Sequence, residues 1–238
     1  MNEREYAENA IENCTFGPKP VVTLMNVAKY YRAVGCAPRE IRNRLETFIL
    51  KCDASANKNL WSDIVELCVK NSRSKLVEID GVHITKAELD VCDGLQKVQL
   101  RRLMFTLICL AKFSNIINEN NHGWVNRKDG EIFSLANIVT SVRRQSLLMN
   151  ELMTMGLIKF SKKVDNINIC VCCLHPDSES AAFITDMRNL GYQYQGLRGE
   201  PTLECENCGI VVPKKSNCQK YCSQCSQEVN RVRARIRS

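Results

Sequence analysis

Residues 131–160, EIFSLANIVTSVRRQSLLMNELMTMGLIKF, decide how this chain is read. EIFSLANI has the pattern of a short helix. In the turn VTS that follows, Thr140 or Ser141 can cap a second helix, VRRQSLLMNELMTM, which stops at Gly156. LIKFSKK is then extended. Upstream, VQLRRLMFTLICLAKFSNIINE from Val98 reads as a long helix, followed by an extended piece at 123–126. Downstream, NINICVCCL is a second extended run, with Ile167, Ile169 and Val171 alternating after a polar turn at Asp165-Asn166. Helix, strand, helix, turn, helix and two-stranded wing are the parts of a winged helix-turn-helix, here expected over residues 97–176.

In such a module the second helix of the helix-turn-helix lies in the major groove and offers its N-terminal side chains to base edges. Those positions hold Ser141, Arg143, Arg144 and Gln145, with Asn150 further along. Arginine can fork onto guanine, and glutamine or asparagine onto adenine. Leu147, Leu148, Leu152 and Met153 are expected on the buried side. Lys159, Lys162 and Lys163 fall on the wing, where phosphate contacts belong. Winged helices also dock proteins, and adjacent arginines can simply be solvated. The opening Val142-Arg143-Arg144-Gln145 favours DNA.

The N-terminal segment, 1–75, reads as a bundle of three short amphipathic helices. One covers roughly Val22 to Val34 and ends at Gly35. The next starts at Pro38 with Ile41, Leu45, Phe48, Ile49 and Cys52 on one face, and the last carries Leu60, Trp61, Ile64, Val65 and Cys68. Residues 76–96 are predicted to be a hairpin, LVEIDGVHIT, turning at Asp80-Gly81, and then a connecting helix begun by the capping box Thr85-x-x-Glu88. His83 on that second strand is given no role. Residues 177–203 are expected to be a linker with a short strand and a short helix capped by Thr185 or Asp186. Its Tyr192, Tyr194 and Arg198 can stack on bases or simply pack.

Fourteen cysteines in 238 residues raise the question of disulfides. No apolar stretch with a cleavage site follows Met1, so a reducing, cytoplasmic setting and no membrane association are expected. Cys36, Cys52, Cys68, Cys92 and Cys109 sit at apolar positions of helical patterns, as small buried hydrophobes do. Cys170, Cys172 and Cys173, with His175 nearby, alternate along a strand and could not easily converge on one ion. Cys205-x-x-Cys208, thirteen residues, and Cys222-x-x-Cys225 are different: each pair turns both sulfurs toward one metal, the two-knuckle pattern of a structural zinc site. One structural Zn2+ is expected on Cys205, Cys208, Cys222 and Cys225, in a ribbon module at 204–238. Cys218 breaks that spacing and is left out.

The charge is local. Between Pro213 and Ser238 seven Lys or Arg (Lys214, Lys215, Lys220, Arg231, Arg233, Arg235, Arg237) stand against one acid, Glu228, so this tail carries six of the chain's seven net positive charges. A basic tail on a nearly neutral body suggests a polyanionic partner, most often nucleic acid. Lys214, Lys215, Arg231, Arg233, Arg235 and Arg237 join the candidate nucleic-acid contacts. Neither a phosphate-cradling glycine loop nor HExxH nor GxSxG occurs, and no catalytic residue is assigned.

The runs RLMFTLICLAKFSN, EIFSLANIVTSVRRQSLLMNEL, GLIKFSKKVDNINI, MRNLGYQY, ECENCG and KYCSQCSQEVNR resemble an uncharacterised group of proteins encoded by phages and mobile elements of Firmicutes. The resemblance covers most of the chain and implies a phage or mobile-element context, with no established activity. NICVCCLHPD and Cys218 depart from it. AKYYRAVGCAPREIRNRLETF is faintly similar to a small helical domain at the C-terminus of some phage primases. The expectation is therefore a mainly α, α+β chain with an N-terminal helical bundle, a central winged helix-turn-helix and a small C-terminal zinc ribbon with a basic helix. It would bind DNA, as duplex, in replication initiation or transcription regulation and alongside a replication or transcription protein. The alternatives are a protein-interaction adaptor that recruits a helicase or polymerase, or RNA as the polyanion.

Overall fold

The computed structural model describes residues 2–17, 19–161 and 168–237, without the side chains of Lys58 and residues 232–237. The fold is mixed α+β, about 54% helical with small sheets. It divides into two compact units, Met1–Asp80 and Gly81–Ser238.

Among its described residues the first unit holds four helices: α1 (Glu3–Glu12), α2 (Pro20–Ala33), α3 (Pro38–Cys52) and α4 (Lys58–Asn71). Prolines open α2 and α3, where a missing N–H costs nothing. Gly35, with φ +90°, ends α2 in the left-handed region. Leu24, Val27, Ala28, Ile41, Leu45, Phe48, Ile49, Val65 and Cys68 fill the core. Three helices were expected, and α1 is the correction. It buries only Ala7 and Ala10, too weak an apolar stripe to show in the sequence, and Asn2 caps it by accepting from the Arg4 and Glu5 amides at 3.1 Å. The chain end of this unit returns to α1: Glu3 N–H donates to Val77 O at 2.8 Å, and Val77 N–H to the Glu3 carboxylate at 2.8 Å.

That return overturns the predicted hairpin at Asp80-Gly81. Glu78 bridges Asn2, whereas β1 (Val82–Thr85) pairs antiparallel with β5 (Ser180–Ile184), almost a hundred residues away. Gly81 serves close approach rather than a turn: a Cβ there would lie 2.7 Å from Ile184 O.

After β1 come α5 (Lys86–Asp93), α6 (Val98–Ile117), a 3-10 turn at Glu119–Asn121, β2 (Trp124–Val125), α7 (Asp129–Leu135), α8 (Val142–Thr154), β3 (Ile158–Phe160) and β4 (Ile169–Val171). Past β5 lie α9 (Leu190–Leu197), β6 (Thr202–Glu204), β7 (Val211–Pro213) and α10 (Ser223–Arg237). β2, β4 and β3 form one antiparallel sheet in that order, with Trp124 opposite Cys170 and Lys159 opposite Cys170 from the other side. α6 is buried on nearly every face, from Leu100 through Phe113, and α5, α7, α8, α9, β1, β2 and β4 all pack on it.

Two further expectations are corrected. On α8 the buried residues are Leu148, Met149 and Leu152, while Leu147 and Met153 are exposed. Helical geometry explains this: 148, 149 and 152 share one face, and Leu147 falls on the opposite side. Residues 177–203 are not a linker, because β5 completes a sheet with β1 and α9 lies against α6. Neither Thr185 nor Asp186 caps α9. Its N-cap is Asn189, in the left-handed region at φ +48°.

The expected capping box forms, and its carboxylate reaches further than a cap. Glu88 is wholly buried and accepts from the Thr85 amide at 2.8 Å, from the Lys112 ammonium at 2.8 and 3.0 Å, and from the His175 amide at 3.1 Å. It ties α5 to α6 and to the segment after β4. Removing one member of a buried pair leaves the other charge unsatisfied, a cost of about 3–5 kcal/mol. Glu88→Ala should therefore lower the thermal midpoint of the second unit by roughly 10 °C, and Glu88→Gln with Lys112→Met by much less. Differential scanning calorimetry checks this, and an unchanged Glu88→Ala melt would contradict it.

Candidate metal centre and nucleic-acid surface

The C-terminal module is a hairpin of β6 and β7, with Leu203 opposite Val212, followed by α10. The chain turns tightly between the first two cysteines: Gly209 N–H donates to Cys205 O at 2.8 Å, Cys205 N–H to Ile210 O at 3.0 Å, and Gly209 sits at φ +71°. The second pair stands where α10 begins. Cys205, Cys208, Cys222 and Cys225 thereby bring their sulfurs within 4.8 Å of one another, with Cys208 and Cys222 at 3.8 Å.

These distances fit one ion. Four sulfurs at about 2.3 Å from a tetrahedral centre are about 3.8 Å apart, whereas a disulfide would need about 2.05 Å. Backbone and side-chain N–H groups point at the sulfurs: Cys222 N–H to Cys205 Sγ at 3.3 Å, Asn207 Nδ2 to Cys225 Sγ at 3.3 Å, and Cys225 N–H to Cys222 Sγ at 3.5 Å. Such donors stabilise thiolate. Burial resists ionisation of Cys205, but the amides of Cys222, Asn207 and Cys208 outweigh it and bring the thiol down to about 6. Burial and the neighbouring sulfurs push Cys208 up to about 12. All four sulfurs could be thiolates together only with a cation between them. Cys205, Cys222 and Cys225 are buried, and Ile210, Val212 and Tyr221 pack around them.

The other cysteines lie outside this cluster. Cys218 is exposed beside Ser216. Cys170 and Cys173 are buried and Cys172 is exposed. Among the described residues the four ribbon cysteines are the only group of metal-ligating side chains that converges. Cys36, Cys68, Cys92 and Cys109 are buried in the cores and Cys52 is half-buried. Burial raises Cys68 and Cys52 to about 11, and Cys92 and Cys109 well above the usual thiol range.

The candidate nucleic-acid residues are scattered over the second unit. Ser141 caps α8 by accepting from the Arg144 amide at 3.4 Å. Arg143 and Arg144 are exposed and Gln145 is half-buried. Among the described residues no carboxylate pairs with either arginine. Asn150 is exposed on the same side of α8 as Arg143 and Leu147. Lys159 is exposed on β3, while Lys162 and Lys163 lie outside the described residues. Lys214, Lys215 and Arg231 are exposed. Arg233, Arg235 and Arg237 fall on α10, with side chains outside the description. Tyr194 packs: it is buried against Phe105 and donates to Asp93 at 2.5 Å, and Arg198 pairs with Asp93 at 3.2 Å.

Sequence reasoning missed one constellation. The Arg102 guanidinium lies 5.1 Å over the Tyr192 ring and donates to the carbonyls of Ala136 (2.9 Å) and Asn137, at the turn between α7 and α8. A Cβ on Gly191 would collide with the Ala136 carbonyl, so α9 seats against this turn only because residue 191 is glycine. The Asn-Leu-Gly run at 189–191 was the available signal.

No helix among the described residues is long and apolar enough to cross a membrane. Compared with known proteins, the chain matches no family model, no curated protein and no solved structure.

Purified without chelator, the protein should carry about one metal ion per chain by elemental analysis and lose it on Cys205→Ser with Cys208→Ser. With metal bound, mass-mapped alkylation should modify the exposed Cys172 and Cys218 first and reach the four ribbon cysteines only after chelation. Rapid labelling of the ribbon cysteines in the untreated protein would contradict the centre.

Proposed function

We propose that this chain is a DNA-binding protein in which a winged helix-turn-helix reads duplex DNA and a zinc ribbon adds a second grip. The observation that carries the reading is α8. Its first turn, Ser141 to Arg144, stands free in solvent with two arginines and no acid. The helix is held from behind by Leu148, Met149 and Leu152. The order α6, β2, α7, α8, then β3 and β4 with β2 in one sheet, supports a winged helix. In that arrangement Arg143 meets guanine, Asn150 meets adenine, and Leu147 between them suits a thymine methyl. Lys159, exposed on β3, is placed to reach phosphate.

Zinc is the ion proposed for the four cysteines, since an all-thiolate tetrahedral set suits Zn2+ and no open position is left for substrate. Its role is structural: a module of this size buries too little to fold alone, so metal binding supplies its folding energy. The exposed Lys214, Lys215 and Arg231 then present cations to the backbone. The setting in phage or mobile-element replication or transcription rests on the sequence resemblance alone.

A second reading is favoured by one observation. Val139 is fully exposed in the turn, and Val142, Leu147, Met153 and Met155 are also exposed, which is what a protein-docking face presents. Salt separates the two. With Z phosphate contacts the logarithm of affinity falls with that of salt at a slope of about −0.9Z, whereas docking through apolar side chains is far less sensitive.

Titration with labelled duplex at several salt concentrations should give a slope steeper than about −3. Arg143→Ala with Arg144→Ala should weaken a specific complex by roughly 10- to 100-fold, at about 1–3 kcal/mol per bidentate contact, with the melting curve unchanged. Absence of binding at low salt, or binding unmoved by these substitutions, would contradict the reading of α8.

A further inference from the structure

The turn that aims α8 is held from two sides. On one side Arg102 of α6 engages the carbonyls of Ala136 and Asn137. On the other, Asn137 (φ +55°) uses its whole side chain: Nδ2 donates to Asn189 Oδ1 at 2.8 Å, and Oδ1 accepts from the Tyr192 amide at 3.2 Å. Asn189 does not end there. Its Nδ2 donates to the carbonyl of Val211 at 2.9 Å. Val211 belongs to β7, pairs with Glu204 immediately before Cys205, and follows Cys208 by three residues. Next door, Arg188 Nη2 donates to Cys208 O at 2.8 Å while its guanidinium also grips Asp186. A short series of hydrogen bonds thus runs from the four-cysteine knuckle to the base of the helix proposed to read DNA.

The chemistry demanded at residue 189 is narrow. The backbone is left-handed, which asparagine tolerates better than most side chains. The side chain must also accept from Asn137 and donate to Val211, and an amide does both within one rigid group. Aspartate could keep the first bond but not the second. Glycine would keep the backbone and lose both.

We propose that Asn189 is a positioning residue that couples metal occupancy at the ribbon to the order of the α7–α8 turn. The Val211 carbonyl is fixed only while the ribbon is folded, and the ribbon folds only around its ion. Metal removal therefore frees the Asn189 amide, Asn137 loses a fixed acceptor, and the turn is left to Arg102 and the Tyr192 amide. Coupling is reciprocal: whatever orders the turn, a bound duplex included, tightens the metal site by the same factor. The inference rests on metal at the four cysteines and holds whether or not the polyanion is DNA.

Hydrogen exchange read by mass spectrometry on the full chain tests it, comparing zinc-loaded and chelator-stripped protein. In the native sequence, stripping should speed exchange in peptides covering 136–141 and Tyr192 by about two- to tenfold, the worth of one ordinary hydrogen bond, together with the ribbon peptide at 202–213. In Asn189→Asp, zinc should still bind at one per chain and the ribbon peptide should still respond, but the turn should no longer do so. Asn189→Gly should behave likewise, which guards against an effect of the added charge. A turn that ignores stripping in the native chain while the ribbon responds would overturn the proposal. So would a full response retained in both variants, and so would a chain that never holds the metal. None of these outcomes depends on DNA binding, so a protein that fails to bind duplex leaves the exchange result equally readable.

Discussion

A helix that is apolar on nearly every face must be enclosed, and α6 imposes that condition on the second unit. From Leu100 to Phe113 it leaves almost nothing for water, so elements from far along the chain are drawn in to cover it. α5 arrives from one side with the buried Glu88 carboxylate pinned to Lys112 of α6 itself. α7, α8 and the small sheet arrive from another. The last gap is closed by α9, which brings the cysteine ribbon with it. One packing requirement thus sets which parts of the sequence become neighbours, and the polar contacts that define the site follow from it.

The parts legible in the sequence are those set by local chemistry. Pro38, the capping box Thr85-x-x-Glu88, the Ser141 cap and the stop at Gly156 are each decided within one turn of helix, and each appears in the structure. The two CxxC pairs were legible for the same reason, since each turn is local even though the pairs are thirteen residues apart. What escaped was decided at long range. Asp80-Gly81 carries a hairpin's dipeptide, yet β1 found a better partner in β5, and the glycine serves to let Phe183 and Ile184 approach. α1 was invisible because alanines make a core-facing stripe too faint to notice. Leu147 and Met153 were misplaced because a run of apolar residues cannot by itself say where the buried face ends. The asparagine pair 137 and 189 was beyond reach, since neither residue has an apolar or metal-binding signature and their partnership exists only once α9 is seated.

Charge and metal bear on function together. Four thiolates around a dication would leave a local excess of negative charge; Lys214, Lys215 and Arg231 are exposed on the same module, and Arg188 donates to the Cys208 carbonyl. On the proposed reading, cations so placed let the ribbon approach a phosphate backbone that bare thiolates would repel. α8 shows a different economy: its arginines have no carboxylate partners among the described residues and its outward face mixes arginine, leucine and asparagine. On the proposed reading that mixture would be more selective than a purely basic face, because phosphate contacts need only cations whereas base edges also present methyl groups and paired donors and acceptors. On this account the ribbon contributes affinity and α8 contributes sequence choice.

The claim at the centre, that α8 reads the sequence of a duplex, is tested most directly by selecting bound molecules from a random double-stranded pool with the native protein and with Arg143→Ala. The account predicts a defined motif for the native chain and loss of preference at one of its guanines in the variant. Retention of all sequences alike, or of none at low salt, would contradict it.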